Sequence, residues 1–180
     1  MKTKVYLRAF KAEDYLKSYK WRNNDNITNS LICRKIFISE ENEKRWIENS
    51  NDDKERNVKL AICLTSNDEY IGNVYLTNID HINKNSGIGI FIGDEEQLKK
   101  GYATDAMLLI LKHAFIDLGL ERVESRQFTS NVASVKLHEK LGFKQEGILR
   151  KCFFKNGILN DISIMSILKS EYSIPNIDYI

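Results

Sequence analysis

Two short stretches hold residue types whose spacing could do chemistry. EEQLKKGYATDA (Glu95–Ala106) sets two lysines and a bare glycine where an apolar run, Gly87–Gly93, gives way to an amphipathic pattern. A helix that starts there presents backbone N–H groups without intrahelical partners and about half a positive charge. If the main chain can also be approached closely, that terminus holds phosphate. Gly101 has no Cβ, Ala103 is small, Lys99 and Lys100 add charge, and Thr104 adds a hydroxyl. The stretch is neither G-x-x-x-x-G-K-[ST] nor G-x-G-x-x-G, and a surface loop with solvated lysines has the same composition. The second stretch is NVASVKLHEKLGF (Asn131–Phe143). At about 100° per residue, Asn131, Ser134 and His138 fall within about 60° of one another on a helix. An amide, a hydroxyl and an imidazole thus share one strip, as in a cleft at the edge of a core or on the polar edge of a surface helix.

The elements that must position these groups follow from periodicity. Val5–Phe10 reads as a strand, Ala12–Trp21 as a helix ending in the polar run RNNDN, and Ser39 as the N-cap of a helix through Asn49. Lys59–Leu64 and Tyr70–Thr77 form a hairpin around TSNDE, and Gly87–Ile92 is a further strand. The helix after Gly101 carries Ala103, Met107, Ile110, Leu111, Ala114, Phe115 and Leu118 at helical spacing and closes at Gly119. Arg122–Thr129 is a strand, Asn131–Leu141 a short helix, and Phe143–Phe154 and Ile158–Leu168 flank the turn signal Lys155-Asn156-Gly157. The order β-α-α-β-β-β-α-β-α-β-β predicts an α/β fold, a central mixed sheet flanked by helices, in a single domain over residues 1–180.

The bulk composition excludes several classes. With 42% apolar and 29% charged residues and a net charge of +2, the chain reads as globular, and nucleic acid is not an expected partner. Cys33, Cys63 and Cys152 show no paired spacing, so neither a disulfide framework nor a metal is expected, and all three read as small buried thiols. No stretch reaches the roughly 18 apolar residues of a membrane span, and no secretory leader opens the sequence. The expected location is cytoplasmic, away from membranes. Glu40, Glu41, Glu43, Asp52 and Asp53 read as a solvated charged face.

Three segments in order, LKKGYATDA (Leu98–Ala106), NVASVKLHEKLGF and GILRKCFFKNGILNDISIM (Gly147–Met165), make the chain resemble the GNAT N-acetyltransferases. It is most similar to the branch holding ribosomal-protein and spermidine acetyltransferases. The resemblance implies a twisted, splayed sheet and acetyl-CoA as donor. The main chain of Phe91, Ile92 and Gly93 would pair with the pantetheine arm. Leu98, Lys99, Lys100, Gly101, Tyr102, Ala103 and Thr104 would wrap the pyrophosphate, Asn131 would bond the arm, and Ser134 would lie beside it. It also implies a homodimer.

Acetyl transfer to an amine needs a neutral nitrogen, a polarised carbonyl and a proton for the leaving thiolate. His138, where many relatives have tyrosine, is the candidate acid. Gly87 stands where many members of the branch have glutamate, so no base is visible. Leu98 stands where the family it resembles usually has a polar or aromatic residue. Trp21, Arg22, Asn23 and Tyr75 are candidates for the acceptor pocket, with core packing the alternative for Trp21 and Tyr75. The expected acceptor is an amine-bearing small molecule or a protein N-terminus. A CoA-holding but catalytically idle relative is the alternative, and Gly87 and His138 are the features that suit it.

Overall fold

The computed structural model describes residues 3–50, 52 and 55–173; Asp53 lies outside them. The elements, in chain order, are β1 (Val5–Arg8), α1 (Tyr15–Arg22), α2 (Asp25–Thr28), α3 (Glu40–Asn49), β2 (Val58–Leu64), β3 (Tyr70–Asp80), β4 (Asn85–Ile92), α4 (Tyr102–Lys112), β5 (Arg122–Phe128), α5 (Val132–Lys140), β6 (Lys144–Lys155) and β7 (Ile158–Leu168). The sequence order is reproduced except for α2, one turn that begins at the end of the RNNDN run and continues to Thr28. Asn24 caps it by accepting from the Asn26 N–H, as a short polar side chain at that position does.

The strands make one seven-stranded sheet in the order β1-β2-β3-β4-β5-β7-β6. Every neighbouring pair is antiparallel except β4 and β5, which the α4 crossover joins in parallel. Those two strands pair only from Asn85–Arg122 to Ile88–Ser125. Beyond that point β4 stays with β3 as far as Ile92, and β5 stays with β7 as far as Phe128. The sheet therefore splits into two halves that part at one end.

Each face has its own core. α4 covers one face, burying Ala106, Met107, Ile110 and Leu111 against Ile71, Val74 and Val123. Burying each large aliphatic side chain there is worth about 1.5–3 kcal/mol. The α4 helix runs on through a π-type turn, His113–Asp117, and Gly119 closes it at φ +64°. On the other face α1–α3 enclose Phe10, Trp21, Ile47, Cys63 and Tyr70. Glu43, read from sequence as part of a solvated charge run, is fully buried here. It stands four residues before Ile47 on α3 and so shares the helix's inward face. Of the three cysteines only Cys63 is buried; Cys152 is exposed on β6, which corrects the expectation for it.

Candidate functional site

The parting of β4 from β5 leaves a cleft one strand wide. Gly89–Ile92 on one side and Arg126–Phe128 on the other have no β-ladder partner across it. Four extended residues give it a length of about 13 Å. Backbone groups facing such a gap require a partner, and an extended chain with amides of its own supplies one in the manner of an added strand.

The cleft's open end leads to the start of α4. Gly101 is the N-cap at φ +89°, and no side chain caps the helix. A Cβ on Gly101 would meet nothing within 4 Å, so the first-turn amides of Tyr102, Ala103 and Thr104 are open to an anion. Lys99 is itself in the left-handed region, at φ +61°. Lys100 Nζ donates to Gln97 Oε1 at 3.0 Å. Leu98 is exposed and extended, so its main chain borders the loop without its side chain blocking it. This is the geometry of a diphosphate cradle.

Gly93 is glycine for a different reason. A Cβ there would lie 2.1 Å from the Trp21 ring. Trp21 packs against this main chain, tilted against Tyr70 at 4.8 Å and edge-on to Phe91 at 6.4 Å. Of the two readings of Trp21, acceptor pocket and core packing, the structure has the second: it is core, 9% exposed. Asn23 is likewise a tie rather than a contact surface. Its Nδ2 donates to Tyr19 O and Ile38 O, and its Oδ1 accepts from Ile38 N.

On α5 the predicted strip exists. Asn131 is the N-cap, its Oδ1 accepting from Ser134 N at 3.1 Å and its Nδ2 donating to Ser30 O at 3.0 Å. Its amide thus ties α5 to the loop after α2. His138 is 4% exposed and packs edge-on to Phe143 at 4.8 Å. Its Nδ1 lies 2.8 Å from Ser134 O. A carbonyl cannot donate, so Nδ1 carries the proton and the neutral ring offers a lone pair at Nε2. Burial lowers the imidazole pKa, and the Ser134 carbonyl only partly offsets this. As a proton donor, His138 must therefore act as the imidazolium, the form that its site disfavours.

Sequence reading did not single out Gln127. It lies on β5 beyond the split and shares Val123's face by strand alternation. Its Oε1 accepts from Ser125 Oγ at 3.1 Å, and its Nε2 is buried without a partner. An orphaned buried amide beside an unfilled strand gap matches a ligand that brings its own carbonyls.

The α1–α3 face of the cleft is polar beneath its aromatics. Glu43 accepts from Ser18 Oγ and Arg22 Nη1, each at 2.8 Å. The Arg22 guanidinium lies 5.0 Å from the Trp46 ring centre, and Trp46 meets Tyr75 edge-on at 6.2 Å. Burial pushes the Tyr75 phenol up. Tyr75 borders Gly89, whose missing Cβ would sit 3.5 Å from its ring. Arg22 and Tyr75 are therefore brought together, along with Trp46 and Glu43, which the sequence reading had not placed at a pocket. Among the described residues no group of acidic, His or Cys side chains could hold a metal ion, and no helix is long and apolar enough to cross a membrane.

Comparison with known proteins gives a consistent set. The family model of the acetyltransferase (GNAT) domain matches residues 4–144. The spermidine N(1)-acetyltransferase of Vibrio cholerae is 29% identical over 172 residues, 96% of this chain and 97% of that protein. A putative ribosomal N-acetyltransferase of Bacillus subtilis, YdaF, is 34% identical over 101 residues, 56% of this chain and 55% of that protein. The crystal structure of the Vibrio cholerae spermidine enzyme with CoA and spermine superimposes with a TM-score of 0.85 at 27% identity, covering 94% of this chain and 98% of that one.

Proposed function

The chain belongs to the GNAT acetyltransferase family, and on that premise we propose that it moves the acetyl group of acetyl-CoA, held in the β4–β5 cleft, onto a small primary amine arriving from the α1–α3 face. The observation that carries this reading is the cleft itself, unpaired beyond Ile88 and Ser125 and running to an uncapped helix start at Gly101. The idle-sensor alternative has no comparable observation in its favour.

The residues suit acetyl-CoA. The main chain of Phe91–Gly93 would flank the pantetheine arm, with Gln127 Nε2 as a donor to one of its carbonyls. The amides of Tyr102–Thr104, with Lys99 and Lys100, would hold the diphosphate. Asn131 and Ser134 would fix the start of α5 beside the arm. When bound, the donor supplies an activated carbonyl and a thiolate leaving group.

The protein's share of the chemistry is binding, orientation and charge. Holding two reactants in line removes much of the entropic barrier. A main-chain N–H on β4 facing the cleft would polarise the carbonyl. The acceptor must be neutral at nitrogen, which at pH 7 costs about 4.6 kcal/mol for an amine of pKa ~10.4 and about 1 kcal/mol for an α-amine near 7.7. On the acceptor side, Tyr75, Trp46 and the Arg22–Glu43 pair would line the approach. His138 would line the thiol end as a neutral ring, only its protonated fraction being able to give the thiolate an Nε2–H proton.

The test is CoA-thiol release with acetyl-CoA and a panel of spermidine, glucosamine and a short peptide with a free N-terminus. Turnover with at least one amine, and a Gly101→Val variant with weakened acetyl-CoA binding by calorimetry, is the expected result. Absence of acetyl-CoA binding at millimolar concentration overturns the reading.

A further inference from the structure

We propose that Glu124 accepts the proton of the attacking ammonium group, standing on β5 in place of the carboxylate that Gly87 does not supply on β4. This rests on the acetyl-transfer reading above.

Register places it. Gly87 pairs directly with Thr77 of β3 on one side and Glu124 of β5 on the other. Paired residues present their side chains to the same face of a sheet. That face is the α1–α3 face, because Tyr75, two residues from Thr77, packs against the core there. It is also the side from which the amine arrives. The pair is one step from Ile88–Ser125, where the cleft opens.

Position 87 itself is closed to a carboxylate by its neighbour: a Cβ on Gly87 would lie 2.7 Å from Thr77 Oγ1. The rest of β4, NSGIGIFI, carries no ionisable side chain. Glu95 is engaged elsewhere, accepting from Asn24 Nδ2 at 2.8 Å and Asn26 Nδ2 at 3.3 Å.

Both oxygens of Glu124 are held by arginines, Oε2 the more loosely. Its Oε1 accepts from Arg126 Nε at 2.8 Å, while Oε2 accepts the longer bond, from Arg122 Nη2 at 3.2 Å, and is the oxygen a proton would reach. Arg122 is held from the other side by Glu146, at 2.5 and 2.6 Å. Glu124 is 29% exposed at its side chain, so a proton taken there can leave to solvent.

The ammonium proton passes to Glu124 Oε2, directly or through one water. The freed nitrogen lone pair bonds to the thioester carbonyl carbon, and the C–S bond breaks. The adduct nitrogen still carries two hydrogens and a positive charge. It sheds one of those protons as the thiolate leaves with the electron pair, and the thiolate takes up that proton through solvent. Glu124 returns the first proton to solvent, so one proton is released per turnover.

The groups facing Glu124 hold their charge while the amine titrates. Arg122 is pushed further up by its bond to Glu146 and also by Glu124, and Arg126 faces the same carboxylate. Glu146, which also accepts from Ser166 on β7, is held at about 2 by Arg122 and then Ser166. Burial raises Tyr75 on β3. Across the row, Lys59 of β2 lies over Trp46.

The experiment measures kcat/KM from pH 6.5 to 10 with the fastest amine of the panel above, for wild type, Glu124→Gln and Glu124→Asp. Glu124→Gln is expected to be about 10²-fold slower at pH 7. The deficit should narrow to a few-fold at pH 10, where an amine of pKa near ~10.4 is substantially neutral unaided. Glu124→Asp should lie between the two. Adding Gly87→Glu with Thr77→Ala to Glu124→Gln should recover at least tenfold at pH 7, by restoring a carboxylate one strand away. An equal deficit at every pH, or none, overturns the assignment of Glu124 while leaving the enzyme an acetyltransferase. A wild type that releases no thiol with any amine defeats the underlying reading instead.

Discussion

Gly93 and Gly101 lie eight residues apart at the mouth of the cleft, and replacing each by alanine should fail in different ways. A Cβ on Gly93 would be 2.1, 2.3 and 2.5 Å from Trp21 Cδ2, Cε3 and Cγ. Ordinary contact begins near 3.4 Å, so the indole must move by roughly 1.3 Å. It has little room, since Tyr70 stands 4.8 Å behind it and Phe91 6.4 Å away at an edge. Overpacking of this kind costs about 1–3 kcal/mol. For a chain of this length each kcal/mol is worth about 2–4 °C, so Gly93→Ala should lower Tm by about 2–12 °C. Gly101→Ala adds no clash. It asks alanine to hold φ +89°, which costs roughly 1–2 kcal/mol and falls on the residue that opens the cradle. Its main effect should be at least tenfold weaker acetyl-CoA binding by calorimetry. A Gly93→Ala protein with Tm within about 1 °C of wild type refutes the packing argument. A Gly101→Ala protein that binds acetyl-CoA as tightly as wild type refutes the anion-cradle argument.

Four further outcomes follow from three buried groups. The folded pKa of His138 is lowered, so its neutral form favours folding above pH 6.5 and that contribution is lost as pH falls through its folded pKa; His138→Phe should flatten the fall in Tm between pH 7 and 5. If His138 is the acid, rate declines as pH rises through that lowered pKa, and His138→Tyr should remove the decline in kcat. Lys155 is 6% exposed and donates to Thr28 O at 2.5 Å and Leu31 O at 2.7 Å. Lys155→Met leaves both carbonyls short of a partner, at about 1–3 kcal/mol, and should raise KM for the amine more than for acetyl-CoA. Glu43→Gln weakens the Arg22 pair and costs about 2 kcal/mol after discounting for Arg22's exposure; denaturant melts read this directly, and an unchanged midpoint counts against a structural role for the pair.

Most of the scaffold was legible in the sequence because local physics sets it. Strand-like runs around turn chemistry mark Lys59–Leu64 and Tyr70–Thr77, which the structure extends to Val58–Leu64 and Tyr70–Asp80; Ser39 caps its helix, and Gly119 and Asn156-Gly157 turn the chain where φ is positive. The loop at Gly101 was legible for the same reason, since a bare glycine before an amphipathic run has a direct physical meaning. Glu43 was readable in principle from its four-residue spacing to Ile47, although a run of acidic residues obscured it.

What the sequence could not decide lies between elements far apart in the chain. Nothing local says that β4 and β5 separate after Ile88 and Ser125, because that depends on which neighbour each strand follows across the sheet. Nothing local marks Gly93 as the floor beneath Trp21, 72 residues earlier, or sets Glu124 beside Gly87. Nor does helical spacing reveal that a carbonyl one turn away fixes the proton on His138 Nδ1. Periodicity and capping act over a few residues and so can be read from order alone. Register, close packing and hydrogen-bond direction are set by atoms that meet only when the chain folds.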